Sequence, residues 1–145
     1  MEIYVAGPSK LARSIQKLTN ILVEKCNVSL SYDWTEDVLL YEGKELPSPF
    51  KCSLIADNDL VGVNNADLFV LLLVKGYESS GAWIEYGYAL ALNKPVIIVP
   101  VGYTDLNKLH ENIFLSFNNV TFTCLDSLQQ VNDLIYLINK YVSEE

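Results

Sequence analysis

The chain has 145 residues, enough for one hydrophobic core and short for two, so a single domain over residues 1–145 is expected. Half of it is hydrophobic (50%), and its formal charge of −8 at pH 7 opposes both the phosphates of nucleic acid and an anionic membrane surface. A small-molecule ligand remains, since a locally basic pocket is compatible with a negative whole.

The stretch "EIYVAGP" is a short apolar run closed by Gly7 and Pro8, the pattern of a buried strand entering a turn. Ser9 is placed to cap the next element. Leu11, Ile15, Leu18 and Leu22 then recur at spacings of four, three and four, which predicts an amphipathic helix from Lys10 to about Cys26. "VSLSYDW" reads as a second strand. From Asp33 to about Cys52 there is no steady period, and Gly43, Pro47 and Pro49 interrupt, so a long loop is expected. A helical pattern returns from Leu54 to Ala66. "DLFVLLLV" and "PVIIVPV" are uninterrupted apolar runs rich in β-branched residues, as parallel strands buried on both faces should be. Between them "SSGAWIEYGYALALNK" reads as a helix entered by a small-residue turn. A polar loop, the strand "VTFTC" and a closing helix with Leu128, Val131, Leu134, Ile135 and Ile138 on one face complete the chain.

Strand and helix alternate throughout. That implies an α/β fold: a three-layer, doubly wound, five-stranded parallel sheet in the flavodoxin-like order 2-1-3-4-5. In that order the winding reverses between strands 1 and 3, and ligands bind outside the carboxyl ends of those strands. The loops "AGPSKLAR" and "VKGYESSGAW" border this crevice, and the second leads into the helix that carries Glu85.

Cys26, Cys52 and Cys124 are odd in number, far apart and without CxxC spacing, which suggests reduced core thiols rather than a disulfide framework or a zinc site. The N-terminus lacks a signal-peptide pattern and the apolar runs are too short to span a bilayer, so a cytoplasmic protein is expected. The sequons at Asn27 and Asn119 are then chance matches. His110, the single histidine, falls in a loop and reads as a surface residue rather than a triad member.

Glu85, read alone, complements the positive end of its helix, where a carboxylate is favoured and held ionised. Its surroundings add a second reading, in which the ionised Glu is a nucleophile. Ser79, Ser80 and Gly81 offer hydroxyls and close backbone approach at the same turn, and Gly87, costly inside a helix by about 1 kcal/mol, points to tight packing. Ser9, Lys10 and Arg13 make a phosphate cradle at a second helix start, without a Walker pattern. Asp57 and Asp59 are two apart and face different ways on a helix, so they do not form one metal site. Asp57 and Asp67 read as solvated helix-end acids.

The order "IYVAGP", "DNDLVGVNNADLFVLLL", "SSGAWIEYGYALALNKPVIIV" resembles the nucleoside 2-deoxyribosyltransferase superfamily, which includes the 2'-deoxynucleoside 5'-phosphate N-hydrolases. "SYDWT" resembles its Toll/interleukin-1-receptor-like branch. The resemblance implies that Glu85, which matches the family pattern G-x-x-x-E-x-G-x-A, attacks the anomeric carbon and expels the base. It puts the family's Asp on Asp59, in contact with the sugar or assisting base departure. Tyr4 matches an aromatic residue of the pocket floor, though a core tyrosine with a satisfied hydroxyl is an equal reading. Ser79, six positions before Glu85, stands where the nucleotide hydrolases have Ser and the transferases Asp, which implies a 5'-phosphate. Gly7, Ser9, Lys10 and Gly81 would complete the substrate-binding set. Asn112 falls near an Asn that transferases contribute across a subunit interface, which implies a homodimer. Pro8 and Trp83 depart from the family, which has Ser and Gly at those positions.

The expected function is therefore cleavage of the N-glycosidic bond of a nucleotide through Glu85, by hydrolysis or transfer, without metal or organic cofactor. The alternatives are an NAD-cleaving hydrolase and a non-catalytic module that binds a nucleotide-derived signal. Trp83 and Glu85 lie about 200° apart around a regular helix, so Trp83 should pack away from the carboxylate. If Trp83 precedes regular helix, it should instead stack on a base, with Trp34 as a second wall.

Overall fold

A computed structural model describes residues 1–145. Its core is a parallel sheet of five strands in the order β2-β1-β3-β4-β5. The three inner strands, β1 (Glu2–Ala6), β3 (Leu68–Val74) and β4 (Val96–Val101), are the uninterrupted apolar runs. Helices cover both faces, so neither face of these strands tolerates polar side chains. The edge strands β2 (Ser29–Leu30) and β5 (Val120–Phe122) are short, which limits exposed strand edge. No helix is long and apolar enough to cross a membrane.

The helix α1 (Ala12–Cys26) packs beside the C-terminal helix α6 (Asn132–Ser143) on one face, burying Ile15, Leu18, Leu22, Leu134 and Ile138. On the other face α3 (Pro49–Asn65) packs beside α4 (Ser80–Ala91). Leu128 and Val131 lie before α6 rather than in it, but both are buried.

The second strand is shorter than its sequence suggested, and the expected long loop holds a helix. After Leu30 one more sheet bond forms, from Ser31 N to Ile3 O. Asp33 then caps α2 (Trp34–Leu40), its carboxylate accepting from Thr35 N at 3.1 Å. Val5 O, the next acceptor along that edge of β1, takes a hydrogen bond from Trp34 Nε1 at 2.6 Å. A buried indole thus replaces the strand partner that β2 no longer supplies, and Trp34 is no wall for a base. The sequence from Ser48 starts α3 five residues before the expected Leu54, with the Ser48 hydroxyl accepting from Lys51 N and Pro49 at the first helical position. Only Tyr41 to Ser48 remains irregular.

Smaller expectations also change. Ser9 does not cap α1; it lies in a 3-10 turn, Ser9–Leu11, that Pro8 initiates and the bond from Leu11 N to Pro8 O closes. Of the three free cysteines only Cys26 is buried, while Cys52 and Cys124 are exposed. His110 ends a short helix, α5 (Asn107–His110), rather than lying in a loop, but it is exposed, as a surface residue should be, with its ring centroid 5.4 Å from that of Phe122.

Candidate functional site

Successive side chains of β1 point to opposite faces, and this sends Tyr4 toward α3 and α4. Tyr4 is fully buried, and its hydroxyl donates a hydrogen bond to Glu85 Oε2 in the second turn of α4. The register that pairs Tyr4 with Phe69 on β3 stacks their rings, with centroids 5.8 Å apart and planes 6° from parallel. Phe69 meets Tyr86 at 6.4 Å, and Trp83 places its edge on Tyr86 at 5.8 Å and 78°. Tyr86 is anchored in turn, its hydroxyl donating to Phe114 O. Trp83 lies inside regular helix and packs against this aromatic row, as its angular offset from Glu85 required.

Asp59, on α3, completes a group of acidic and phenolic side chains with Glu85 and Tyr4. Burial pushes Glu85 up to about 7, the Tyr4 hydrogen bond opposes this, and the Asp59 charge adds to it. Burial therefore opposes the ionised form that the helix start favours. Asp59 is pushed up to about 6, by burial first and then by Asp37. Tyr4 is raised far above the ordinary phenol range by burial, then by Glu85 and Asp59, so its hydroxyl remains a donor.

Two atoms here lack partners. Asp59 Oδ1 and Ser79 Oγ are buried and make no hydrogen bond. An unsatisfied buried polar group costs about 1–3 kcal/mol, so each atom has hydrogen-bonding capacity that a water or a ligand can take up. Ser79 is the N-cap residue of α4 but makes no side-chain cap bond, leaving its hydroxyl at the positive end of the helix.

The other expected residues divide. Ser9 and Lys10 are exposed and line a pocket of 610 Å³ bounded by the 3-10 turn, α1, α2 and α3. Arg13 lies at the same pocket, paired with Glu42 at 2.7 Å, and both side chains are largely exposed, so the pair adds little stability. Gly7 answers to packing: a Cβ there would lie 2.8 Å from Ile15 Cδ1 and 3.3 Å from Leu72 Cβ. Gly81 and Gly87 face open space, so the tight packing expected at Gly87 is absent. Asn112 is occupied in its own loop, accepting from Phe114 N at 3.0 Å to cap the 3-10 turn Ile113–Leu115. Asp57 is exposed, and exposed Asp67 accepts from Glu2 N at 2.7 Å. No three His, Cys, Asp or Glu side chains converge to hold a metal ion.

The structure also brings in residues that sequence reasoning passed over. Gly62 follows Asp59 by one turn, and a Cβ there would lie 2.5 Å from Tyr32 Cβ and 3.0 Å from Tyr4 Cε2. Its missing side chain lets α3 settle against both tyrosines. Tyr32 donates to Asp37 Oδ2 in the first turn of α2, at the pocket beside Asp59. The signal for Gly62 was a glycine within a helical pattern; Tyr32 and Asp37 were hidden by reading their segment as strand and loop.

The model of the nucleoside 2-deoxyribosyltransferase family matches residues 3–130, and the chain belongs to that family. It is thus a glycosidase or transferase of the N-glycosidic bond of nucleotides or nucleosides. Among solved structures, the CMP N-glycosidase BcmB of Clostridium botulinum aligns with a TM-score of 0.57 at 17% identity, over 97% of this chain and 100% of that one. At that identity the likeness establishes a shared fold. No curated protein matches the sequence significantly.

Proposed function

We propose that the chain hydrolyses the N-glycosidic bond of a nucleoside 5'-monophosphate, with Glu85 as nucleophile. The observation that carries this reading is the bond from Tyr4 to Glu85 beside the orphaned carboxylate of Asp59. Glu85 in its charged form attacks the anomeric carbon; the bond from that carbon to the base nitrogen breaks, and its electron pair leaves with the base. Asp59, near neutral pH partly protonated, gives its proton to the departing base. The resulting glycosyl ester is resolved by water, which adds to the anomeric carbon, returns a proton to Asp59 and frees Glu85. The balance is nucleotide plus water giving sugar phosphate plus free base, and the scheme uses side chains and water alone.

Tyr4 supports the charged form of Glu85 and holds its orientation. Ser79 Oγ and the start of α4 take the 5'-phosphate, with Gly81 leaving room for its approach. Strands β1 and β3 are neighbours, so Gly7, Ser9 and Lys10 border the same crevice. The working form in this reading is a homodimer in the cytoplasm, with Asn112 offered to the partner's site.

The test is a chromatographic screen of nucleosides, nucleoside monophosphates and NAD for released base, with and without a second base as acceptor. Free base from monophosphates supports the reading. Transfer to an added base makes the enzyme a transferase, and nicotinamide from NAD replaces the substrate. Binding without release leaves only a ligand-binding module.

A further inference from the structure

We propose that the 610 Å³ pocket beside Asp59 receives the base, and that Asp37 selects bases carrying an exocyclic amino group. The inference rests on the hydrolase reading above, because it takes Asp59 as the junction between sugar and base. Asp59 both lines this pocket and acts electrostatically on Glu85 and Tyr4, which puts the pocket on the Asp59 side of the Glu85 carboxylate.

The pocket suits a base better than a phosphate. Ala12, Val38, Ile55 and Ala56 give it apolar walls, as a flat heteroaromatic ring needs. Its charged lining is Lys10 and Arg13 against Asp37, Glu42 and Asp59, two cations to three anions, and Arg13 is already tied to Glu42. A phosphate dianion would meet net repulsion there, whereas the orphaned Ser79 hydroxyl at the start of α4 offers it a donor and a favourable dipole.

Asp37 is held for recognition. Tyr32 donates to its Oδ2 atom, which orients the carboxylate and leaves the other oxygen for a ligand. The side chain is half-buried and lies in the first turn of α2, where negative charge is favoured. A carboxylate accepts hydrogen bonds and donates none. The amino group of cytosine or adenine supplies the hydrogen it needs. The carbonyl that replaces that group in uracil or hypoxanthine turns a lone pair toward the charge instead. A mispaired buried polar group discriminates strongly, so a preference of about tenfold or more is expected.

The experiment compares base release from CMP with UMP, and from AMP with IMP, in both ribose and deoxyribose forms, by the wild type and by Asp37→Asn. The amide still accepts from Tyr32 but also donates, so the preference for amino bases should shrink about tenfold or invert. An unchanged ratio in an active variant overturns the proposal, as does a wild type that prefers UMP and IMP. Asp37→Ser provides the same comparison if the first variant fails to fold. Calorimetry with free cytosine, uracil, adenine and hypoxanthine separates this inference from the hydrolase reading. Tighter binding of the amino bases, lost on substitution, upholds the base pocket even if no nucleotide is cleaved. Equal affinity, or no binding, overturns it.

Discussion

The hydroxyl of Tyr4, in the middle of β1, donates to the carboxylate of Glu85, 81 positions later in the second turn of α4. The bond joins the sheet to the helix that borders the crevice, and it links a phenol that stays neutral to an acid balanced near pH 7.

Glu85→Gln should remove nearly all base release, because the amide keeps the size and the acceptor for Tyr4 but cannot form the ester. More than a tenth of wild-type activity would rule out the nucleophile. The folded-state acidity of Glu85 is weakened relative to its ordinary 4.5, so the native state holds its proton more tightly than the unfolded chain. Wild-type stability should therefore fall as pH rises from about 4.5 through about 7, while the amide escapes that penalty. Denaturation at pH 8 should show Glu85→Gln more stable by about 1–2 kcal/mol, after allowance for solvent around a half-buried group. At pH 4 the two should be nearly equal.

Tyr4→Phe keeps the ring that stacks on Phe69 and deletes the bond that favours charged Glu85. The acid should then weaken further, so the acidic limb of the kcat/KM profile should move to higher pH. Activity at pH 7 should drop more than activity at pH 9, by about tenfold if the loss matches one hydrogen bond to a charge. A uniform loss at every pH would mean that Tyr4 shapes the pocket without tuning Glu85.

Ser79→Ala removes a hydroxyl that has no partner in the chain, so folding should be unaffected or slightly improved. Monophosphate binding should weaken by about 1–3 kcal/mol. Nucleosides should lose much less. Calorimetry with both ligand forms checks this, and equal losses would show that the site does not read phosphate.

Gly62→Ala and Gly87→Ala should act in opposite directions although both replace glycine in a helix. At Gly62 the new Cβ would lie 2.5 Å from Tyr32 Cβ, so α3 must shift away from Tyr4 and Tyr32. A stability loss of about 1–3 kcal/mol and reduced turnover follow. At Gly87 nothing lies within 4 Å, and the gain in helix propensity should stabilise by about 0.5–1 kcal/mol. Urea denaturation of both variants checks the pair.

Trp83→Gly should lower stability by about 3 kcal/mol or more, because it removes the ring packed on Tyr86 and adds a helical glycine. Base preference should hardly change. A variant of altered base selectivity and undiminished stability would contradict the packing role.

The sequence by itself determined the layered architecture and most of the candidate set. "DLFVLLLV" and "PVIIVPV" had to be inner strands, since such runs are stable only where helices cover both sides, and alternation with helical periods led to the observed order. Ser79 and Glu85 stood out by residue type and place, Tyr4 and Asp59 through the family resemblance, and the direction of Trp83 followed from helical geometry. Around Trp34 sequence reasoning failed, because an indole that completes a sheet edge leaves no period to read.

Tertiary structure alone decided who meets whom and in what state of charge. Glu85 sits near neutrality, Asp59 and Ser79 hold unpaired buried atoms, Tyr32 orients Asp37, and Gly62 seats two tyrosines. Each depends on contacts between elements far apart in the chain. Hydration lost on burial, and the charges that face one another across the crevice, are properties of that packing; no local pattern of residues encodes them.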